Sequence, residues 1–280
     1  MVKPKTIQIF LPDGNPRGIK IAEITSRTVQ AILSPRASLG LAGKRTELSN
    51  VGIYYLIGQG DEDTKSVVYI GEAENCKKRL SQHNRSKDFW STSISIISKT
   101  QQFTKSHIKY LEWLSIAEAN KSGRFLVENG TTPQKPYITE STEADLIDNF
   151  DTIRILVSTL GYPLFEQVDK RDEEYLFYCK GRGAIGVGKY LEDGFLVFKD
   201  STTAIEEVKS ADVALVNSRK KLLDNGILKK EGNYYIFTQD YLFRSPSWSG
   251  ATILGRRTNG WTSWKLKNGK TLDEIYRKGR

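Results

Sequence analysis

Short runs of apolar and β-branched residues, separated by turn residues, mark the N-terminal part of the chain. Two such runs, KTIQIFLPDG and NPRGIKIAEI, meet at a cluster of Pro, Asp, Gly and Asn, which predicts a hairpin. Residues 52–71, GIYYLIGQGDEDTKSVVYIG, predict a second hairpin, and SISIIS after residue 92 predicts a single strand. Residues 1–50 are therefore expected to form a β-rich extension ahead of the second hairpin.

Three segments are predicted to be helical. EAENCKKRLSQHN lacks Gly and Pro, and TKSHIKYLEWLSIAEANKSG ends near Gly123. Between 142 and 160, apolar residues recur at helical spacing up to the stop signals Gly161 and Pro163. The order strand, strand, helix, strand, helix predicts an α+β fold, with a small mixed or antiparallel three-stranded sheet flanked by helices and a smaller α+β region after it.

The C-terminal part combines glycine turns with strand-like runs in EEYLFYCKGRGAIGVGKYLEDGFLVFKDST. A helix is predicted over AIEEVKSADVALVNSRKKLLDN and a short strand over YYIFT. The glycines fit a phosphate-loop pattern only in part, because Tyr190 follows Lys189 where such a loop has Ser or Thr, and no helix follows. This context favours a glycine-rich hairpin over a nucleotide site.

The net charge of +9 is unevenly distributed. Residues 136–225 carry 11 Lys/Arg against 17 Asp/Glu, whereas residues 226–280 carry 11 against 4. Basic segments release counterions when they meet a polyanion, so nucleic acid is a candidate partner, although ordinary solvated surface charge explains the same composition.

Other function classes are disfavoured by what the sequence lacks. No apolar run approaches the roughly 18 residues of a membrane helix, and IQIFL is too short for a signal-peptide core, so a cytoplasmic protein without a membrane partner is expected. Cys76 and Cys179 are far apart in sequence, which argues against a disulfide framework or a cysteine-built zinc site.

Five separated polar features stand out in residues 51–135. Tyr54 lies in a Gly-Ile-Tyr triplet and Tyr69 in a Tyr-Ile-Gly triplet, Arg79 and His83 lie four apart on one predicted helix face, and Glu112 lies in the next helix. By motif, order and approximate spacing, these features resemble the GIY-YIG nuclease family. The flanking segments FLPDGNPRGIKIAEI and SPSWSGATILGRRTNGWTSWKLKNGKT look like a prokaryotic subgroup whose C-terminal domain has no assigned function.

The resemblance implies a domain organisation and an activity. The expected order is an N-terminal extension (1–50), a GIY-YIG nuclease-like catalytic domain (51–135), a connecting helix (136–165) and a C-terminal α+β domain (166–280) that binds DNA or another target. The implied activity is divalent-metal-dependent endonucleolytic hydrolysis of DNA, in bacterial defence, restriction or repair. Other proteins of a defence or restriction system are open as partners, and the sequence does not give the oligomeric state.

The resemblance also assigns roles to the site residues. Glu112 would hold Mg²⁺ or Mn²⁺, since carboxylates suit hard divalent ions, and Arg79 would clamp a phosphate oxygen. Tyr54 is the candidate general base, Tyr69 would orient it or the phosphate, and His83 would hydrogen-bond or relay a proton. The charges of Arg79, neighbouring Lys78 and the metal are expected to lower the pKa of Tyr54 from its usual value near 10.

Supporting residues follow from the same pattern. Gly52 and Gly71 are expected to serve backbone geometry or close approach to substrate. A family asparagine maps to Asn129, with Asn120 as the alternative.

Plainer interpretations of the same residues remain. The tyrosines could be a cross-strand aromatic pair, and Glu112 could be a helix carboxylate paired with Lys109 or Lys105. The chain could accordingly be a catalytically inactive nucleic-acid-binding protein that kept the nuclease fold. The intact set of Tyr54, Tyr69, Arg79, His83 and Glu112 favours the enzyme.

The C-terminal basic segment offers candidate nucleic-acid ligands. Arg256, Arg257 and Lys265 are predicted to bind the backbone of DNA. The nearby tryptophans could stack on bases, but tryptophans spaced by turns are more often core residues; these are Trp248, Trp261 and Trp264.

One feature departs from the family. Fourteen residues, Tyr55 to Val68, separate GIY from YIG, which is more than usual in the family. The excess lies in the polar QGDEDTKS, so the turn is expected to lengthen while the strand register is kept. The acidic residues at its tip, Asp61, Glu62 and Asp63, have no assigned function.

Overall fold

The computed structural model describes residues 4–59, 66–130, 133–166, 175–191, 194–208 and 211–278. They form two compact units, which meet in sequence between 166 and 175. The acidic turn with Asp61, Glu62 and Asp63 lies outside the described residues. Within the described ranges, no helix combines the length and the hydropathy that a membrane span requires.

The first unit is a seven-stranded sheet with four α-helices among its described residues. Its elements are β1 (Ile7–Phe10), β2 (Lys20–Ile24), β3 (Val29–Pro35), α1 (Leu39–Ala42), β4 (Gly52–Gly58), β5 (Val67–Ala73), α2 (Cys76–Ser86), β6 (Thr92–Ser98), α3 (Lys105–Ser122), β7 (Leu126–Val127) and α4 (Glu140–Thr159). The strand order is β1-β2-β3-β6-β4-β5-β7, and every pair is antiparallel except β5 with β7. The predicted α+β class is confirmed, and the three predicted strands β4, β5 and β6 are neighbours within this larger sheet.

Side chains alternate between the two faces of the sheet along each strand, and a hydrophobic core lies on each face. In β4, Ile53 and Tyr55 belong to a core shared with α3 and α4, whereas Tyr54 and Leu56 belong to a second core shared with α2. Pairing of β4 with β5 is continuous from Gly52 opposite Ala73 to Gly58 opposite Val67. The long connection between these strands therefore leaves the register intact.

Both ends of α2 are anchored by hydrogen bonds. At the N-terminus, the side chain of Asn75 accepts from the backbone N–H of Lys78 at 2.9 Å. Near the C-terminus, the guanidinium of Arg36 donates to the side chain of Asn84 at 2.9 Å and to the carbonyls of Asn84 and Asp88 at 3.0 and 3.1 Å. These contacts fix the helix face that carries Arg79 over the sheet.

The second unit contains two smaller sheets and four helices among its described residues. Its elements are β8 (Phe177–Gly181), β9 (Ala184–Leu191), β10 (Gly194–Val197), β11 (Thr202–Ala204), α5 (Val213–Asp224), β12 (Leu228–Glu231), β13 (Tyr234–Phe237), β14 (Tyr241–Phe243), α6 (Pro246–Leu254), α7 (Gly260–Ser263) and α8 (Leu272–Tyr276). The sheets have the orders β14-β10-β9-β8 and β11-β13-β12. A core that includes Trp264 and Phe195 holds them together with α6.

Two sequence expectations are settled in this unit. The glycine-rich segment is the β8–β9 hairpin, whose turn residues Arg182 and Gly183 have φ of 53° and 76°, as a two-residue hairpin turn requires. The helix predicted from Ala204 is wrong at its start, since α5 begins at Val213. Ala204 ends β11, which pairs with β13, and Asp212 caps α5 by accepting from the backbone N–H of Ala214.

Candidate active site

The two motif tyrosines lie on adjacent strands and on the same face of the sheet. Tyr54 of β4 is opposite Gly71 of β5, and Tyr69 is opposite Leu56, so the tyrosines are diagonal neighbours. Their ring centres are 6.3 Å apart, and Tyr54 is only 1% exposed. The two triplets therefore bring their phenols to one place, as the sequence predicts.

The motif glycines make room for atoms of the protein. A Cβ at position 71 would lie 2.5 Å from Cζ of Tyr54 and closer still to its Oη. A Cβ at position 52 would lie 3.0 Å from Sγ of Cys76 and clash with the carbonyl of Ile96. Close approach thus explains both glycines, and Gly71 is what lets the Tyr54 phenol lie across β5.

Two residues of α2 hold the hydroxyl of Tyr54. Nε of Arg79 donates to Oη of Tyr54 at 3.2 Å, and Nε2 of His83 lies 2.8 Å from the same oxygen. The His83 ring also lies near Tyr69, with ring centres 5.3 Å apart. The spacing of four residues on a helix therefore brings a cation and an imidazole to one phenol.

The pKa values of this cluster are set mainly by burial. Burial raises the pKa of Tyr54 well above its usual value, although the hydrogen bond from Arg79 acts in the opposite direction. The predicted lowering of the pKa of Tyr54 is therefore wrong for this structure. Burial, helped by the charges of Arg79 and Lys87, lowers the pKa of His83 to about 4. At neutral pH, both groups are uncharged.

Glu112 lies on α3, which packs against the other face of the sheet. Burial, and then the nearby carboxylate of Glu72, raise the pKa of Glu112 to about 7, while Lys109 and Arg79 act in the opposite direction. In the described part of the chain, no lysine or arginine lies within ion-pair distance of Glu112, and Lys105 instead pairs with Glu74 at 2.6 Å. The alternative that Glu112 is an ordinary ion-paired helix residue is not supported.

The donor set fits a divalent ion held by few protein ligands. No group of three or more His, Cys, Asp or Glu side chains close enough to hold a metal occurs among the described residues. What the chain offers is the partly buried carboxylate of Glu112, with that of Glu72 beside it. Mg²⁺ commonly binds one or two carboxylates and keeps several waters, so these residues fit such an ion.

An open cleft of about 430 Å³ adjoins this cluster. Arg79, Lys78 and Lys105 line it together with Glu72 and Asn75. Lys78 and Arg79 therefore face the same space, and Arg79 also contacts the Tyr54 phenol.

Asn129 has a positioning role in the structure. Its side chain accepts from the backbone N–H of Ile70 at 3.1 Å and donates to the carbonyl of Ile70 at 2.7 Å. This contact continues the pairing of β7 along β5 and fixes the backbone between Tyr69 and Gly71. Asn120 is an exposed residue near the end of α3.

Sequence reasoning missed two residues of this site. Glu72 directly follows the second motif triplet, and both its charge and its backbone N–H act on the carboxylate of Glu112. Nζ of Lys87 lies 4.4 Å from the centre of the Tyr69 ring, a cation–π contact. The spacing of four residues from His83 to Lys87 could have indicated the second residue, whereas the Glu72 contact depends on tertiary packing.

The predicted C-terminal ligands have different surroundings. Arg256 and Lys265 line a cavity of about 560 Å³, whereas Arg257 forms an ion pair with Asp212. Trp264 is fully buried, and its Nε1 donates to the carbonyl of Pro246 at 3.1 Å. Trp248 and Trp261 pack partly buried against the same core, so the core interpretation of the tryptophans is confirmed.

Comparisons with known families agree with this geometry. Residues 50–122 match the GIY-YIG catalytic domain, and residues 177–276 match a domain of unknown function, DUF4357. The first match contains Tyr54, Tyr69, Arg79, His83 and Glu112, and the pair of matches confirms the resemblance that the sequence indicates. Searches of curated proteins and of solved structures each found no match.

Proposed function

We propose that this chain, which carries a GIY-YIG nuclease domain at residues 50–122, is a divalent-metal-dependent DNA endonuclease. The proposal rests on the polar side chains that meet at the phenol of Tyr54. Oη of Tyr54 accepts from Nε of Arg79 and lies 2.8 Å from Nε2 of His83, and its charge would interact with Glu112 of α3. A tyrosine pair that served only for packing would not require Arg79 and His83 at its hydroxyl.

Arg79 would bind the scissile phosphate. Hydrogen bonding to Tyr54 is the main cause that raises the pKa of Arg79, so the guanidinium keeps its charge at any working pH. It lines the cleft beside Lys78, where a phosphate oxygen would find both cations. Arginine donors that stabilise a transition state are worth about a hundredfold or more in rate.

Glu112 would hold the metal, with its neighbour Glu72, which lines the cleft, as a second carboxylate. A bound divalent ion would act as a Lewis acid and stabilise the leaving oxygen. The negative charge of Glu72 helps to raise the pKa of Glu112, and a bound divalent ion would offset this repulsion.

Tyr54 and His83 would move the proton of the attacking water. In the substrate-free protein the phenol is neutral, so we infer that Tyr54 passes its own proton to Nε2 of His83 as it takes one from water. The low basicity of His83 arises from burial and from the charges of Arg79 and Lys87. A phosphate bound at Arg79 would offset that field and make His83 a better acceptor.

Finer parts of the proposal rest on the sequence resemblance. Mg²⁺ or Mn²⁺ is the metal, residues 51–135 are the catalytic part, and the C-terminal domain binds DNA or another target. A role in bacterial defence, restriction or repair belongs to the same proposal, as do a cytoplasmic location and protein partners in such a system.

Nicking of a supercoiled plasmid tests the proposal. Glu112→Gln and Tyr54→Phe should each lower the Mg²⁺-dependent nicking rate by about a hundredfold or more, because each removes a reacting group. The matched controls are Glu118→Gln on the same helix and Tyr137→Phe, whose side chain is 94% exposed. Both controls should nick at the wild-type rate.

The second candidate function is an inactive nucleic-acid-binding protein with the same fold. It predicts that the protein binds DNA but does not nick it with any divalent metal. It also predicts that Glu112→Gln, Tyr54→Phe, Glu118→Gln and Tyr137→Phe all lack nicking activity alike. Glu112 is partly buried and forms no ion pair with the residues that the structure describes, which favours the enzyme, because a buried carboxylate is costly unless a cation compensates it.

A further inference from the structure

The second unit contains a basic cavity of about 560 Å³ that lies apart from the nuclease residues in sequence. Four cations line it, namely Lys180, Arg256, Lys265 and Lys267. None of its lining residues in the described part of the chain is an Asp or Glu. A cavity of this volume is large enough for a nucleotide-sized group.

The local fold explains why these cations converge. Tyr178 of β8 exchanges two backbone hydrogen bonds with Lys265, at 2.7 and 3.0 Å. Cys179 is fully buried, so Tyr178 and Lys180 share the outer face of the strand. Arg256 follows the end of α6 and lines the same cavity.

Three of these four cations are not neutralised by acidic residues in the described part of the chain. Lys180, Arg256 and Lys265 form no ion pair with any acidic residue that the structure describes. Arg257 behaves differently, because Asp212 compensates its charge. Three uncompensated cations around one concave space repel one another, and a bound phosphate would relieve that repulsion.

We propose that this cavity binds the sugar-phosphate backbone of nucleic acid, with Lys180, Arg256 and Lys265 as phosphate ligands. Tyr178 and Leu254 supply an apolar wall for the sugar. The inference deepens the proposed function, since it gives the C-terminal domain the task of gripping the DNA that the first unit cuts. It also replaces Arg257 of the sequence prediction with Lys180.

Fluorescence anisotropy with a labelled DNA in EDTA tests the proposal on the full-length chain. The triple variant Lys180→Ala, Arg256→Ala, Lys265→Ala should bind about tenfold or more weakly, and its salt slope should fall by about two to three, because each lost phosphate contact removes about one released counterion. The matched control, Lys220→Ala, Lys229→Ala, Lys230→Ala, removes three exposed cations of the same unit outside the cavity. It should change affinity by less than threefold.

Three results would overturn the proposal. The first is that the wild type and the cavity variant bind DNA with equal affinity. The second is that both triple variants lose the same amount of DNA affinity. The third is that a free mononucleotide displaces the DNA at the same nucleotide concentration. The last would assign the cavity to a small phosphorylated ligand. Because Lys180, Arg256 and Lys265 are all exposed, the fold should survive their replacement. Unchanged thermal melting verifies this, and Lys180→Gln serves as a milder variant. EDTA prevents cleavage, so loss of binding is distinguishable from failure of the nuclease assignment.

Discussion

At the residue scale, the position of the Tyr54 phenol depends on the absence of a side chain at Gly71. The hydroxyl reaches across β5 to Arg79 and His83 only because no Cβ stands in its path. Gly71 and Tyr54, which lie opposite each other on neighbouring strands, are therefore both needed to place the phenol.

We expect Gly71→Ala to lower the nicking rate by about a hundredfold, because the new methyl group would force the Tyr54 phenol away from its two partners. Gly130→Ala is the matched control, since nothing lies within 4 Å of its Cβ position, and it should nick normally. Parallel nicking and thermal-melting assays measure both effects. Wild-type nicking by Gly71→Ala would show that Tyr54 needs no such placement.

The raised pKa of Glu112 predicts a pH-dependent metal affinity. The carboxylate binds a metal only when deprotonated, and its pKa of about 7 lies above the usual value of 4.5. Mn²⁺ affinity should therefore be constant above pH 7 and should fall about tenfold for each pH unit well below it. Isothermal titration calorimetry between pH 5 and pH 8 measures this.

Glu72→Gln is the informative variant for this titration. Removal of the neighbouring negative charge should lower the pKa of Glu112 and move the loss of Mn²⁺ affinity to lower pH. Affinity that does not vary with pH in the wild type, or a Glu112→Gln protein that binds Mn²⁺ as tightly, would contradict the assignment of the ligand.

Residue identities in the site are predictable from sequence, but their ionisation is not. Arg79 and His83 are indicated by helical spacing, and Tyr54 by the motif. Whether cations lower the pKa of a tyrosine or burial raises it depends on how much protein covers the ring, which only tertiary packing decides. The same holds for Glu72, which meets Glu112 from a different element.

At the element scale, the nuclease sheet is stabilised by parts outside the motif. The strand β3 lies between β2 and β6, and α4 covers it with Phe150, Ile153 and Leu156 in the core. Local pattern does not mark β3, because its residues are almost all buried and so do not alternate. By contrast, α2, α3 and α4 follow from helical spacing and end signals.

We expect Phe150→Ala to lower the free energy of unfolding by about 3–5 kcal/mol, because it empties a core position beside Phe165. Ile147→Ala on the same helix is the control, since Ile147 is 46% exposed, and it should cost well under half of that. Urea unfolding measures both. Similar losses would mean that α4 does not belong to the core of this unit.

At the scale of the whole molecule, each unit has its own core and its own candidate site. Every residue proposed for cleavage lies in the first unit, and the basic cavity lies in the second. The stop signals Gly161 and Pro163 indicate the end of the first unit in the sequence. The change from acidic to basic composition near residue 226 lies inside the second unit, and charge counts alone do not show which cations share a cavity.

The most direct measurement is the rate of plasmid nicking by the full-length chain as Mg²⁺ is added, removed with EDTA and restored. The wild type should nick only with the metal present and should recover when it returns, while Glu112→Gln should stay inactive throughout. Nicking that persists in EDTA, or equal nicking by Glu112→Gln, would contradict a nuclease that works through a metal held by Glu112.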